Sequence, residues 1–142
     1  MTKNHFIIIL ALTALISCAK KEETKDQVKD WTYQFKGNWH ATKSSTATGT
    51  VTTTYTATIT GVNVDMPNSI YLQPFSGTLS SPVPYIMATA SNGRFQFDAP
   101  IQHGSGHANG TGVLINANTI YLDYNITYSN SSSEHCTETL TK

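Results

Sequence analysis

Ten consecutive residues, Val51 to Thr60, alternate without a break. Val51, Thr53, Tyr55, Ala57 and Ile59 share one face, and Thr52, Thr54, Thr56, Thr58 and Thr60 share the other. Successive side chains of a β-strand point to opposite sides, so this pattern in β-forming residues predicts a strand with one face toward a core. A second stretch, Thr119 to Tyr128, sets Ile120, Leu122, Tyr124, Ile126 and Tyr128 against Thr119, Tyr121, Asp123, Asn125 and Thr127. A chain that carries two such stretches is committed to a sheet with a buried face.

Shorter segments repeat the theme. Trp39–Ser44, Ser69–Gln73, Tyr85–Ala90, Arg94–Asp98 and Cys136–Thr141 read as strands, and the glycine-rich run from Gly104 to Leu114 as a strand with bulges or close packing at Gly106, Gly110 and Gly112. Turns are expected at Thr48-Gly49, Ser91-Asn92-Gly93, Asn116-Ala117-Asn118 and Asn130–Ser133, and irregular chain from Gly61 to Asn68 and from Pro74 to Pro84. Trp31–Phe35 is a helical turn or an extended lead-in, and no long helix is expected. About eight strands at short, regular spacing give an all-β fold, a sandwich or an up-and-down barrel. The short links favour an antiparallel meander, and closing it would leave no exposed edge in a chain with few guarding charges.

The first thirty residues differ in kind. Lys3 precedes the apolar run Phe6–Ala14, and the run closes on Leu15-Ile16-Ser17-Cys18. This order of basic, apolar and small residues is that of a secretory signal, and the run is shorter than the roughly 20 residues of a membrane span. Its end resembles a bacterial lipobox. That resemblance implies cleavage before Cys18, a diacylglyceryl group on the Cys18 thiol and an acyl chain such as palmitate on the new amino terminus, enough for stable membrane attachment. Ala19, where inner-membrane retention prefers Asp, favours the outer membrane, facing the periplasm or the cell surface. Residues 1–17 are thus expected to be the signal peptide, 18–30 a lipidated and charged tether, and 31–142 one β-domain.

At the domain start, Phe35-Lys36-Gly37-Asn38-Trp39 resembles the opening of a calycin, the superfamily of lipocalins, fatty-acid-binding proteins and avidins. The resemblance implies a closed antiparallel barrel of about eight strands, with Trp39 packed across its closed end. The late Arg that packs on this Trp in lipocalins has no counterpart after Arg94, and Lys142 is the basic residue near the chain end.

A barrel of this size either encloses one small ligand or is filled by its own side chains. The residues expected to face a ligand are Trp39, Tyr55, Ile59, Phe95, Phe97, Leu122 and Tyr124, apolar walls with two tyrosine hydroxyls suited to a small hydrophobic molecule. The same residues would also make a dry core. In that alternative the barrel serves as an envelope interaction or inhibitor module, marked by exposed aromatics in the Pro74–Tyr85 connection.

Other chemistry finds little support. Nine basic and nine acidic residues balance, and beyond the tether the bases Lys36, Lys43, Arg94 and Lys142 are scattered, so nucleic-acid binding is not expected. His103 and His107 would sit about 13 Å apart on one strand face, too far to share a metal. No serine lies in a Gly-x-Ser-x-Gly setting, and Asp65, Asp98, Asp123, Glu134 and Glu138 show no paired spacing, so no enzyme and no cofactor are expected. With Cys18 lipidated, Cys136 has no disulfide partner and reads as a buried small hydrophobe, while the adjacent His135 points to the opposite face.

Overall fold

A computed structural model of the chain describes residues 30–46, 51–62, 66–77 and 81–142. The signal peptide, Cys18 and nearly all of the tether, the turn at Thr48-Gly49 and Asp65 lie outside the described residues. Within them, a 3-10 turn, Thr32–Gln34, leads into eight strands, with a second short 3-10 segment, Phe75–Gly77, between the third and fourth: β1 (Gly37–Ser45), β2 (Val51–Gly61), β3 (Ser69–Gln73), β4 (Ile86–Ser91), β5 (Arg94–Pro100), β6 (His107–Asn116), β7 (Thr119–Thr127) and β8 (Ser133–Thr141). Each pairs antiparallel with the next, and β8 returns to pair with β1, so the sheet is a closed barrel. Asp30 supports the lead-in turn by accepting hydrogen bonds from the Thr32 amide (2.8 Å) and hydroxyl (2.6 Å).

The alternation places the core. On β7, Ile120, Leu122, Tyr124 and Ile126 are buried and the residues between them are not; on β5, Phe95 and Phe97 are buried. On β2, Tyr55, Ala57 and Ile59 turn inward as expected, but Thr53 is exposed. Its partner across the ladder is Lys43, near the Ser45 end of β1. The expected strand from Gly104 begins only at His107. Residues 101–106 instead form a tight loop, with Ile101 N–H donating to the Gly106 carbonyl (3.0 Å) and Gly104 N–H to the Ile101 carbonyl (3.2 Å).

Connections alternate between the two ends of a meander. The β2–β3, β4–β5 and β6–β7 links, the Thr32–Gln34 turn and the chain end at Lys142 share one end, the closed end. There Trp39, 1% exposed, donates its indole N–H to the Phe35 carbonyl (2.8 Å), and Phe35 packs edge-on against Phe95. The Lys142 ammonium lies 4.3 Å from the centre of a Trp39 ring and also donates to the Lys36 carbonyl (3.3 Å). A cation over an indole face contributes about 0.5–1 kcal/mol at an exposed site.

The glycines of β6 explain how the rings fit. Gly112 stands opposite Phe95 and Gly110 opposite Tyr124. A Cβ added at Gly112 would fall 2.2 Å from Phe95 Cζ, and one at Gly110 2.2 Å from Tyr124 Cβ. β6 is thin there so that aromatic rings can lie on its backbone. Gly112→Ala is expected to destabilise the barrel by about 1–3 kcal/mol through overpacking, and Lys142→Ala by no more than about 1 kcal/mol, both read as shifts in urea unfolding.

Candidate functional site

The other end carries the β1–β2, β3–β4, β5–β6 and β7–β8 connections and forms the mouth. Its floor is polar because two strands bring charge into the inward register. On β1 the inward series Trp39, Ala41 continues to Lys43, and on β8 Glu138 stands between buried Cys136 and Leu140, with Glu134 next toward the mouth. The β1–β8 ladder sets Lys43 directly across from Glu138.

Glu138 is 1% exposed. One carboxyl oxygen accepts the Tyr55 hydroxyl (2.5 Å) and the other accepts the Tyr124 hydroxyl. Burial pushes the Glu138 carboxyl above the usual carboxylate range, and the two tyrosines and Lys43 oppose this without reversing it. Burial, with Glu138 beside them, drives both tyrosine hydroxyls upward too. Nearer the mouth, burial again works against ionising Glu134, but there it loses. Hydrogen bonds from Ser45, Tyr128, Cys136 and Lys43 bring Glu134 down to about 2. The Tyr128 hydroxyl donates at 2.7 Å, the Cys136 thiol at 3.2 Å, and Lys43 Nζ lies at 3.1 Å, its side chain 12% exposed and that of Glu134 11%. Burial and the Glu134 bond lift Cys136 to about 11 and Tyr128 to about 12.

Above this floor the β3–β4 connection folds inward. Phe75, an aromatic of the connection that the filled-barrel alternative would expose, is instead buried against Phe97 (5.6 Å) and Tyr124 (5.1 Å). Ser76, with φ of 59°, accepts a hydrogen bond from Lys43 Nζ (2.6 Å). Between this plug and the 101–106 loop lies an open cavity of about 410 Å³. Phe75, Pro84, Ile101 and Ile126 give it apolar walls; Lys43, Ser76, Tyr128, His103 and Ser105 give it polar ones.

The seven residues expected to face a ligand are all buried within the barrel. They belong to one packed cluster, with Phe95 on Phe97 (6.5 Å), Phe97 on Tyr124 (5.9 Å), and Tyr55 with Tyr124 around Glu138. None of them lines the mouth cavity. The interior below the plug is a core, and the space lies above it. Lys43, Glu134, Glu138 and the plug were not anticipated. A signal was present for three of them, since each falls in the apolar register of its strand.

The histidines do not converge. His107 Nε2 pairs with Asp98 (2.5 Å), a hydrogen bond that holds the exposed Asp98 carboxyl below its usual range. His135 Nε2 pairs with Asp123 (2.9 Å), and His103 sits in the 101–106 loop beside Tyr85. Among the described residues no group of three His, Cys, Asp or Glu side chains is placed to hold a metal ion. Cys136 is fully buried, on the side of β8 opposite His135.

No protein-family model matches the chain, and no curated protein is similar to it. Among solved structures, a redesigned β-barrel is similar, with a TM-score of 0.55 at 16% identity, covering 81% of this chain and 96% of that one. The likeness is one of fold.

Glu138 ties stability to pH. Its pKa is raised in the folded state, so the stability it contributes is complete below the ordinary glutamate pKa of about 4.3 and is lost as pH rises through the raised value. Glu134 acts in the opposite sense: its contribution is complete above about 4.3 and is lost as pH falls through about 2. Glu138→Gln, neutral throughout, is expected to flatten the decline of the urea midpoint above pH 4.3, whereas Glu138→Ala leaves two buried hydroxyls unpaired at about 1–3 kcal/mol each.

Proposed function

We propose that the chain is a lipid-anchored protein of the bacterial outer membrane whose barrel binds a small, largely apolar molecule without transforming it. The anchor rests on the sequence from Lys3 to Cys18. The binding reading rests above all on the open mouth cavity of about 410 Å³, a volume in the range of small-molecule sites. It has apolar walls and a few fixed polar groups. A non-catalytic role is supported by three groups of the floor: with Glu134 at about 2, Cys136 at about 11 and Tyr128 at about 12, they are not poised to exchange protons near neutrality, while Glu138, whose carboxyl is raised, is buried on two tyrosines and does not line the cavity. The resemblance to calycins is compatible with such a role, moved from the deep interior to the mouth.

A second reading, a filled barrel that docks a protein of the envelope, is favoured by one observation. Tyr71, Tyr85 and His103 form an edge-to-face cluster on the barrel wall (5.1 and 5.6 Å) around a depression of about 350 Å³.

Cells grown with labelled palmitate are expected to yield a labelled chain, and Cys18→Ser an unlabelled one. Native mass spectrometry of the full chain, purified from its host's envelope in detergent, is expected to show a discrete added mass that leaves on denaturation. A bare chain accompanied by a stoichiometric protein would turn the assignment to the second reading.

A further inference from the structure

The hydrogen atoms available at the floor of the mouth are countable, and the count distinguishes between classes of ligand. Glu134 receives Lys43, Tyr128, Cys136 and Ser45. A carboxylate offers about four lone-pair positions, so Glu134 has none left for a donor on a ligand. The single Tyr128 proton is spent on Glu134. Lys43 carries three N–H donors; among the described residues one meets Ser76 Oγ and one Glu134, which leaves a third. Ser76 accepts from Lys43 and keeps its own proton. The two unspent protons sit on adjacent side chains that both line the cavity.

Charge gives the second constraint. Lys43 is balanced by Glu134 at 3.1 Å, and Glu138, across the ladder from Lys43, adds no positive charge in either protonation state. His103 stands at the exposed rim. An anion entering the cavity would give up hydration against a floor with no net positive charge, and a cation would find no open acceptor on Glu134. An uncharged oxygen gives up least.

We propose that the mouth selects molecules with an apolar body and an uncharged hydrogen-bond acceptor, a carbonyl or ether oxygen, held by the Lys43 ammonium and the Ser76 hydroxyl. Phe75, Pro84, Ile101 and Ile126 pack the body. The inference rests on the reading that the mouth binds a small molecule, and it names the class.

The test uses fluorine NMR on the full chain in lipid nanodiscs, with empty nanodiscs as reference. Four probes share one ring: para-fluoroacetophenone, para-fluorobenzoate, para-fluorobenzylammonium and para-fluorotoluene. The ketone is expected to bind about tenfold more tightly than the toluene, the worth of a hydrogen bond from a charged donor, and more tightly than either charged probe. The double variant Lys43→Met/Glu134→Gln removes both charges together, so no orphan charge is left buried. It is expected to bring the ketone to the level that the toluene shows in the same variant. Ser76→Ala, which leaves the ion pair in place, is expected to weaken the ketone alone. Equal binding of all four probes, or a charged probe binding best, overturns the head-group assignment and leaves the mouth as a binding site. If no probe binds beyond the empty nanodisc, both fall.

Discussion

Everything in this structure depends on the seam between β1 and β8. A meander left open would expose two strand edges and a half-covered apolar face. Here six residue pairs, from His40 with Thr141 to Ser45 with Cys136, close the sheet on itself. Closure does more than satisfy backbone hydrogen bonds. It aligns the inward series of the first and last strands, and so it decides what meets inside. Near one end the seam sets Ala41 beside Leu140; two residues on it sets Lys43 beside Glu138. A shift of one residue would turn every inward side chain of β8 to solvent. The apolar closed end and the polar mouth are therefore two ends of a single register.

That register also explains the division of the interior. The aromatic residues fill the barrel from Trp39 up to Tyr124, helped by the missing side chains of Gly110 and Gly112. Eight strands leave an interior just wide enough to be filled this way. Once it is filled, the buried carboxyl of Glu138 needs partners of its own, and Tyr124 from the adjacent β7 and Tyr55 from β2, on the other side of β8, supply them. The tyrosine hydroxyls that suggested a ligand are thus occupied by the protein. Among the described residues the space that opens inside the barrel lies where the strands end and the connections begin.

Much of this was legible in the sequence, for a simple reason. Period-two alternation is a local property, and Val51–Thr60, Ser69–Gln73 and Thr119–Tyr128 carry it in full. Gly37, Trp39 and the short turns marked the meander. The site was harder to see because its residues break the pattern that reveals strands. Lys43 and Glu138 stand at inward positions but are charged, so each reads as a solvent-facing residue unless its neighbours two positions away are weighed. Their meeting is non-local: 95 residues separate them, and only closure joins them. The Phe75 plug lay in a proline-rich connection with no period at all. Its inward turn follows from the space left between Phe97 and Tyr124, which no local pattern encodes.

An even number of strands has a geometric consequence of its own. The chain enters β1 and leaves β8 at the same end of the barrel, under Trp39 and Lys142. An anchor at Cys18 would therefore hold the barrel by its sealed base. The dozen residues from there to Asp30 reach about 40 Å at most. Under the anchor proposed above, the tether would join the barrel at its base, at the end away from the mouth, and would leave the mouth unobstructed by its own attachment.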